Sequence, residues 1–410
     1  MDPAIAQGDG NDAVQRCSTI GEVFWVALRL GLTSFGGPIA HLGYFERTYV
    51  RERQWLTSAE YAGLVALCQS LPGPTSSQVG FLIGLRRAGW AGALAAWSGF
   101  TLPSALLMYG FAVLMPANPG PWVAAIVHGL MLTAVAVVAQ AVWSMARTLC
   151  PDWQRATLAC VATAVLVLFS SPAIQLAVML AGAIGGLLLC SGAQLPAAHV
   201  VSSLRPRTAG GALLCYVLLL AALPGLALLA PRGPLVLADI FYRAGALVFG
   251  GGHVVLPLLR QELVPSGWVS DTQFLSAYGF AQGVPGPLFS IAAYLGAASA
   301  PPHLGLPWAV IGLGAIFLPG LLLAIGGASL WSFLTRARGA AAALAGVNAA
   351  VVGILAAALY DPVWRGGVRT PLDAVVAVLG FALLQRRRAS ALAVAALCVV
   401  ASVAGQALSL

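Results

Sequence analysis

Apolar residues fill this chain in long blocks separated by short polar gaps, and the blocks outrun the apolar face of a soluble helix. They fall near 21–45, 60–85, 91–115, 121–146, 155–170, 173–190 and 211–230, then near 233–259, 273–299, 305–331, 338–360, 371–385 and 389–409. About 20 mostly apolar residues carry a helix across a hydrocarbon core. The pattern therefore predicts an all-α polytopic membrane protein with about thirteen candidate transmembrane segments. Several blocks carry Gly and Pro near their middle, so broken helices are expected. A broken block that turns back to its own side is the alternative to one that crosses.

The blocks are not independent. Around residue 29 the chain reads RLGLTSFGGPIAHLGYF, and around residue 243 it reads RAGALVFGGGHVVLPLL. Arg29, Gly31, Phe35, Gly36 and Gly37 recur at an offset of 214 as Arg243, Gly245, Phe249, Gly250 and Gly251. At an offset of 213, Trp55, Gln69, Pro72, Gly73 and Pro74 recur as Trp268, Gln282, Pro285, Gly286 and Pro287. Such ordered recurrence marks a duplication. The chain divides into a polar tail (1–20), a first repeat (21–190), a linker with one extra apolar segment (191–232) and a second repeat (233–410). Seven candidate segments separate the two repeat starts, and an odd number turns the second copy over, the inverted-repeat plan of many secondary transporters.

Composition fits lipid as the solvent. The 410 residues are 60% hydrophobic and 8% charged, against roughly 25% charged in soluble domains. The net charge of +8 comes from 21 arginines with no lysine, most of them in the short gaps and none forming a stripe suited to nucleic acid. Without lysine there is no P-loop and no Schiff base. If the N-terminus is cytoplasmic and every segment crosses, that side receives thirteen arginines and the far side six, with Arg29 and Arg243 inside spans. The bias favours an inside N-terminus; the cluster Arg47, Arg51 and Arg53 on the far side opposes it. Seven scattered cysteines form no Cys-x-x-Cys pair and read as small core residues rather than metal ligands. No cofactor, metal site or enzyme motif is expected, and residues 1–19 do not have the form of a cleaved signal peptide.

The repeated breaks carry the chemistry. Phe35-Gly36-Gly37 and Phe249-Gly250-Gly251, like Pro72-Gly73-Pro74 and Pro285-Gly286-Pro287, interrupt helices inside apolar blocks. Each interruption frees backbone N–H and C=O groups that hydrocarbon cannot satisfy. Half-helix N-termini then offer donors and partial positive charge to an anion; simple kinks are the plainer reading. Arg29 and Arg243 each precede a Phe-Gly-Gly break by six residues. A buried arginine fork suits an oxyanion, with snorkelling to an interface as the competing reading. Gln69 and Gln282 sit three residues before the Pro-Gly-Pro breaks, where an amide reaches either an oxyanion or a freed carbonyl. Thr75, Ser76, Ser77 and Ser290 add hydroxyls at the same depth, mostly in the first half. His41 and His253 read as packed neutral side chains.

SFGGP, WLT and QSLPGP in the first half, with VFGGGHVVLP, WVS and AQGVPGP in the second, resemble the chromate ion transporter family in its long, two-domain form. The likeness runs from about residue 20 to 400 and is densest over 24–104 and 239–320. It implies export of chromate across a bacterial plasma (inner) membrane, conferring resistance, with sulfate as a competing oxyanion and the lipid bilayer as surroundings. In that family the Phe-Gly-Gly and Pro-Gly-Pro regions are implicated in function. Export makes physical sense: with the interior negative, a dianion gains about 4.6 kcal/mol per 100 mV on leaving.

Overall fold

The computed structural model describes residues 18–35, 37–114, 120–169, 171–190, 192, 205–230, 232–248, 252–336, 339–386 and 390–408. Among them there is no strand. Five helices are long and apolar enough to cross a membrane: Thr75–Leu114, Pro121–Leu149, Pro206–Ala227, Gly305–Ser329 and Ala340–Gly367.

The four Gly- and Pro-broken blocks fold as hairpins. Helix α1 (Ile20–Thr33), capped by the Thr19 hydroxyl, ends at Ser34 in extended backbone; α2 (Gly37–Phe45) and a π-helical stretch (Glu46–Glu52) lead back toward its start. Arg53 closes the open end on Glu22 at 3.0 Å. Helix α3 (Ser58–Ser70) opens on a Thr57–Glu60 capping box and stops at Pro72-Gly73-Pro74, where α4 (Thr75–Leu114) begins. The first arm of α4, 75–87, returns to the same end, where Arg86 pairs with Glu60 and Arg87 meets Ser18. Ala88 and Gly89 (φ 63°) then reverse the chain, and Gly84 and Gly92 touch across the reversal. Arms of 13–14 residues reach about 20 Å at 1.5 Å per residue.

The second half repeats the design. Helix α9 (Pro234–Leu247) is followed by a 3₁₀ turn (Gly252–Val254) and α10 (Val255–Leu263), with Arg243 bound to Glu262 at 2.9 Å. Helix α11 (Asp271–Gly283), with its Ser270–Gln273 capping box, leads to Pro285-Gly286-Pro287, a 3₁₀ turn (Leu288–Ser290) and α12 (Ile291–Ala298). The remaining helices are α5 (Pro121–Leu149), α6 (Trp153–Leu168), α7 (Pro172–Leu189), α8 (Pro206–Ala227), α13 (Gly305–Arg336), α14 (Ala340–Ala358), a short α15 (Arg365–Gly367), α16 (Pro371–Gln385) and α17 (Ala391–Leu408). Blocks 21–45, 60–85, 233–259 and 273–299, expected as single broken helices, are thus two-armed. The extra apolar segment is α8, and most of the expected 191–209 gap lies outside the described residues.

Packing sorts the helices into two groups. In one, α1 lies on α4, α9 on α13, and α12 between α4 and α13; in the other, α14 packs on α6 and α7, while α16 and α17 pack on α5. Small residues permit this closeness, as lipid gives apolar helices no hydrophobic reason to associate. A Cβ on Gly31 would sit 2.6 Å from the Phe100 carbonyl, and Gly245 meets the carbonyl of Ile316 in the same way. Pro103 and Pro319 interrupt the long helices just beyond those contacts. The two groups meet chiefly along α5 and α11.

Candidate functional site

The hairpin tips meet in the interior, and each is completed by the opposite half. Gly73 N–H donates to the Val248 carbonyl at 2.7 Å, and Gly286 N–H donates to the Ser34 carbonyl at 2.9 Å. Ser34 and Val248 are repeat-equivalent residues just before the Phe-Gly-Gly breaks, so each Pro-Gly-Pro tip bonds to the other half's break. Both glycines hold positive φ, 118° and 100°, where other L-residues are strained. A Cβ at Gly73 would lie 2.8 Å from the Gly320 Cα, and one at Gly286 would lie 3.0 Å from the Ser104 Oγ. Gly320 and Ser104 each follow the kink proline of their long helix. Gln78 ties the first tip to α13: its amide donates to Pro72 O at 2.8 Å and to Gly320 O at 2.9 Å.

Where the first half's Phe-Gly-Gly break faces the second half's Pro-Gly-Pro break, a cavity of about 300 Å³ remains, lined among others by Phe35, Gly37, Tyr44, Gln140, Gln282 and Gly286. Among the described residues its lining contains no Asp or Glu, and the Gln282 Nε2 is buried without a hydrogen-bond partner. Helix α2 starts at this wall with Gly37 at φ 80°, so its first N–H groups and the positive end of its dipole lie there. Leu384, Ser390 and Ala391, from the α16–α17 junction, line the cavity's other end. The arrangement is a neutral, donor-bearing pocket between two helix breaks, which suits a desolvated anion better than a cation.

A buried polar cluster belongs to the same first-half tips. Ser34, His41, Ser76, Ser77, Gln78 and Thr101 are all buried, and His41 Nδ1 lies 3.3 Å from the Ser76 hydroxyl. The His41 ring meets Phe100 edge-on at 5.4 Å. Among the described residues, the Ser34, Ser77 and Thr101 hydroxyls have no hydrogen-bond partner.

Of the residues expected at the site, Phe35, Gly37, Gln282 and Gly286 come together around the cavity. Pro72, Gly73, Pro74, Pro285 and Pro287 form the tips, while Gly36, Phe249, Gly250 and Gly251 lie outside the described residues. Gln69 is exposed. Neither arginine lines the cavity. Arg29 is exposed on α1, beside Trp25 and Leu32. Arg243 is held by Asp239 at 2.9 Å and Glu262 at 2.9 Å, so two carboxylates already claim its charge. Tyr44, Gln140 and Gln78 were not anticipated. Gln78, four residues past Pro74 in the first turn of a half-helix, carried a local signal; Gln140 and Tyr44 carried none.

The family model described as "Chromate transporter" matches the chain twice, over residues 21–187 and 235–405. The chain is 31% identical over 301 residues to the "Probable chromate transport protein" of Synechococcus elongatus, covering 73% of each chain. It is 29% identical over 371 residues to the "Chromate transport protein" of Pseudomonas aeruginosa, covering 88% of this chain and 85% of that one. With the protein of the same name from Cupriavidus metallidurans it shares 27% identity over 382 residues, 89% of this chain and 88% of the other. No solved structure matches it significantly.

Proposed function

Since this chain belongs to the chromate transporter family, we propose that it exports chromate from the cytoplasm, with the anion held in the cavity between the Phe-Gly-Gly break of the first half and the Pro-Gly-Pro break of the second. The observation that carries the site is the pocket lined by Phe35, Gly37, Gln282 and Gly286, with no carboxylate among the described residues of its wall. A dianion entering it exchanges water for the Gln282 amide, backbone N–H groups at the start of α2 and the Tyr44 hydroxyl. Charge-assisted bonds of this kind are worth about 1.5–3 kcal/mol each.

Orientation follows from the hairpins. In this reading all four are re-entrant, and nine helices cross: the 90–114 arm of α4, then α5, α6, α7, α8, α13, α14, α16 and α17. Five crossings separate the two pairs of hairpins, so the second pair enters from the opposite face and the repeats are inverted. Among the described residues, Arg47, Arg51, Arg53, Arg86, Arg87, Arg147, Arg155, Arg205, Arg207, Arg336 and Arg386 then fall on the N-terminal face, against Arg232, Arg260, Arg365 and Arg369 on the other. Eleven against four supports a cytoplasmic N-terminal face. The Arg47–Arg53 cluster, which opposes that orientation when every block crosses, agrees with it here.

The test is labelled chromate flux into inside-out vesicles, with and without a membrane potential and with excess sulfate. Potential-dependent accumulation that sulfate does not compete away is expected for a chromate exporter. Accumulation abolished by sulfate would make a broader oxyanion the cargo, and none under any condition would sink the export reading.

A further inference from the structure

The seam between α5 and α11 has a cavity at each end and a plug between them. At the end where both helices begin, a cavity of about 530 Å³ is lined by residues that include Thr272, Gln273, Ser276, Tyr294 and Arg369. The tip cavity takes the other end, where Gln140 of α5 and Gln282 of α11 face it. Among the described residues neither lining contains Asp or Glu. Met131 is the last α5 residue of the outer cavity and Val137 the first of the inner one, about 9 Å apart at 1.5 Å per residue.

On α11 the interval runs from Ser276 to Ala281, and there Leu130, one residue before Met131, closes on the facing helix. A Cβ on Gly279 would stand 2.8 Å from the Leu130 Cβ. Phe280 stacks on Phe111 at 4.3 Å and leans on Tyr294 at 6.4 Å. Ala134 and Ala277, on the two helices, are buried. A charged ion does not pass such an apolar contact while it stays shut. The seam also separates the two packing groups, so sliding one group on the other opens it without breaking the tips.

The outer cavity has donors to spare. Among the described residues, the Arg369 guanidinium, the Tyr294 hydroxyl and the Gln273 amide nitrogen bond to nothing. The carboxylate closest in sequence to Arg369, Asp373, accepts the Arg369 and Thr370 N–H groups at 3.0 and 2.9 Å and lies 3.6 Å from His128.

We infer that the α5–α11 seam is the translocation path, with Leu130 on Gly279 as its closed plug and the Arg369 cavity as a second oxyanion subsite on the exit side. This rests on reading the tip cavity as the inner oxyanion site.

The experiment is thiol labelling with a membrane-impermeant reagent outside spheroplasts, comparing Ser276→Cys with Ala281→Cys after subtracting the labelling of native cysteines. Ser276→Cys is expected to react at least tenfold faster than Ala281→Cys. Adding Leu130→Ala, or the milder Leu130→Val with membrane abundance checked, should make Ala281→Cys reactive from outside. External chromate should slow the labelling of Ser276→Cys, and Arg369→Gln should remove that protection while Arg369→Lys retains part of it. Equal outside reactivity of the two positions, or no effect of either Leu130 variant, overturns the path. Protection that survives Arg369→Gln overturns the subsite. If the labelling pattern holds but neither chromate nor sulfate protects, the oxyanion reading fails and the path stands.

Discussion

The two halves share one backbone plan and are furnished in opposite ways. At the tips the first half places Ser34, His41, Thr75, Ser76, Gln78, Thr101 and Ser104. The equivalent positions of the second half, aligned through the Phe-Gly-Gly, Pro-Gly-Pro and kink-proline landmarks, are Val248, Val255, Leu288, Phe289, Ile291, Phe317 and Gly320. Charge runs the other way. Arg243 is clamped by Asp239 and Glu262, whereas the matching Arg29 has Trp25 and Thr48 at the corresponding positions and lies exposed. Duplication kept the scaffold and varied its furnishing: hydroxyls and Gln78 gather at the tips of the first half, and two carboxylates hold the equivalently spaced arginine in the second. The geometry of a helix break survives whatever side chains stand beside it, because its bonds are made by the backbone.

Four experiments press on this asymmetry. The largest effect is expected at the ion cluster. Arg243→Ala leaves Asp239 buried beside no cation, at a cost of about 3 kcal/mol, while Arg29→Ala should stay within about 0.5 kcal/mol. Thermal unfolding in detergent reads both, and Asp239→Asn added to Arg243→Ala should restore much of the loss. Equal destabilisation by the two arginine variants would erase the contrast. Next come the tip glycines, where the halves should behave alike: Gly73→Leu and Gly286→Leu combine a positive φ with backbone contact, costing roughly 2–4 kcal/mol. Chromate flux should fall at least about tenfold in each, with membrane insertion retained.

The cavity glutamine should separate the halves again. Gln282→Leu removes an unpartnered buried amide and should weaken chromate binding roughly tenfold, the value of a bond to a charged group. Gln69→Leu, at an exposed position, should change it less than about twofold; the same loss from both would show that the cavity wall is not selective. The smallest expected difference lies among the hydroxyls. Ser77→Ala and Ser290→Ala, neither of them in the cavity lining, should each shift half-saturation by less than about twofold.

Much of this architecture was legible in residue order. The duplication, the broken helices and the motif residues at the tips follow from Gly and Pro placed inside apolar blocks. The hairpins did not, because hydropathy gives the same signal for one 25-residue crossing and for two arms of half that length. Charge held the missing clue. Glu22 and Arg53 bracket the first broken block, and Glu60 and Arg86 bracket the second; opposite charges at the two ends of a block become neighbours only if the block doubles back. The pairing of each Pro-Gly-Pro tip with the opposite half was hidden for another reason. Gly73 and Val248, like Ser34 and Gly286, are far apart in sequence, and the bonds join backbone groups that no side-chain pattern announces. The different surroundings of the two arginines were not legible either, because their common spacing from Phe-Gly-Gly is the same whether or not carboxylates stand nearby.

The bonds from Gly73 to Val248 and from Gly286 to Ser34 have a consequence for how such a protein is assembled. A half translated alone carries an unmet donor at one tip and an unmet acceptor at the other, and only a second half supplies both. A change that moves the backbone of one break has to be answered in the other, whereas a change of side chain beside it does not. Fusing the two in one polypeptide fixes their ratio at synthesis, so no half is left in the membrane searching for its complement.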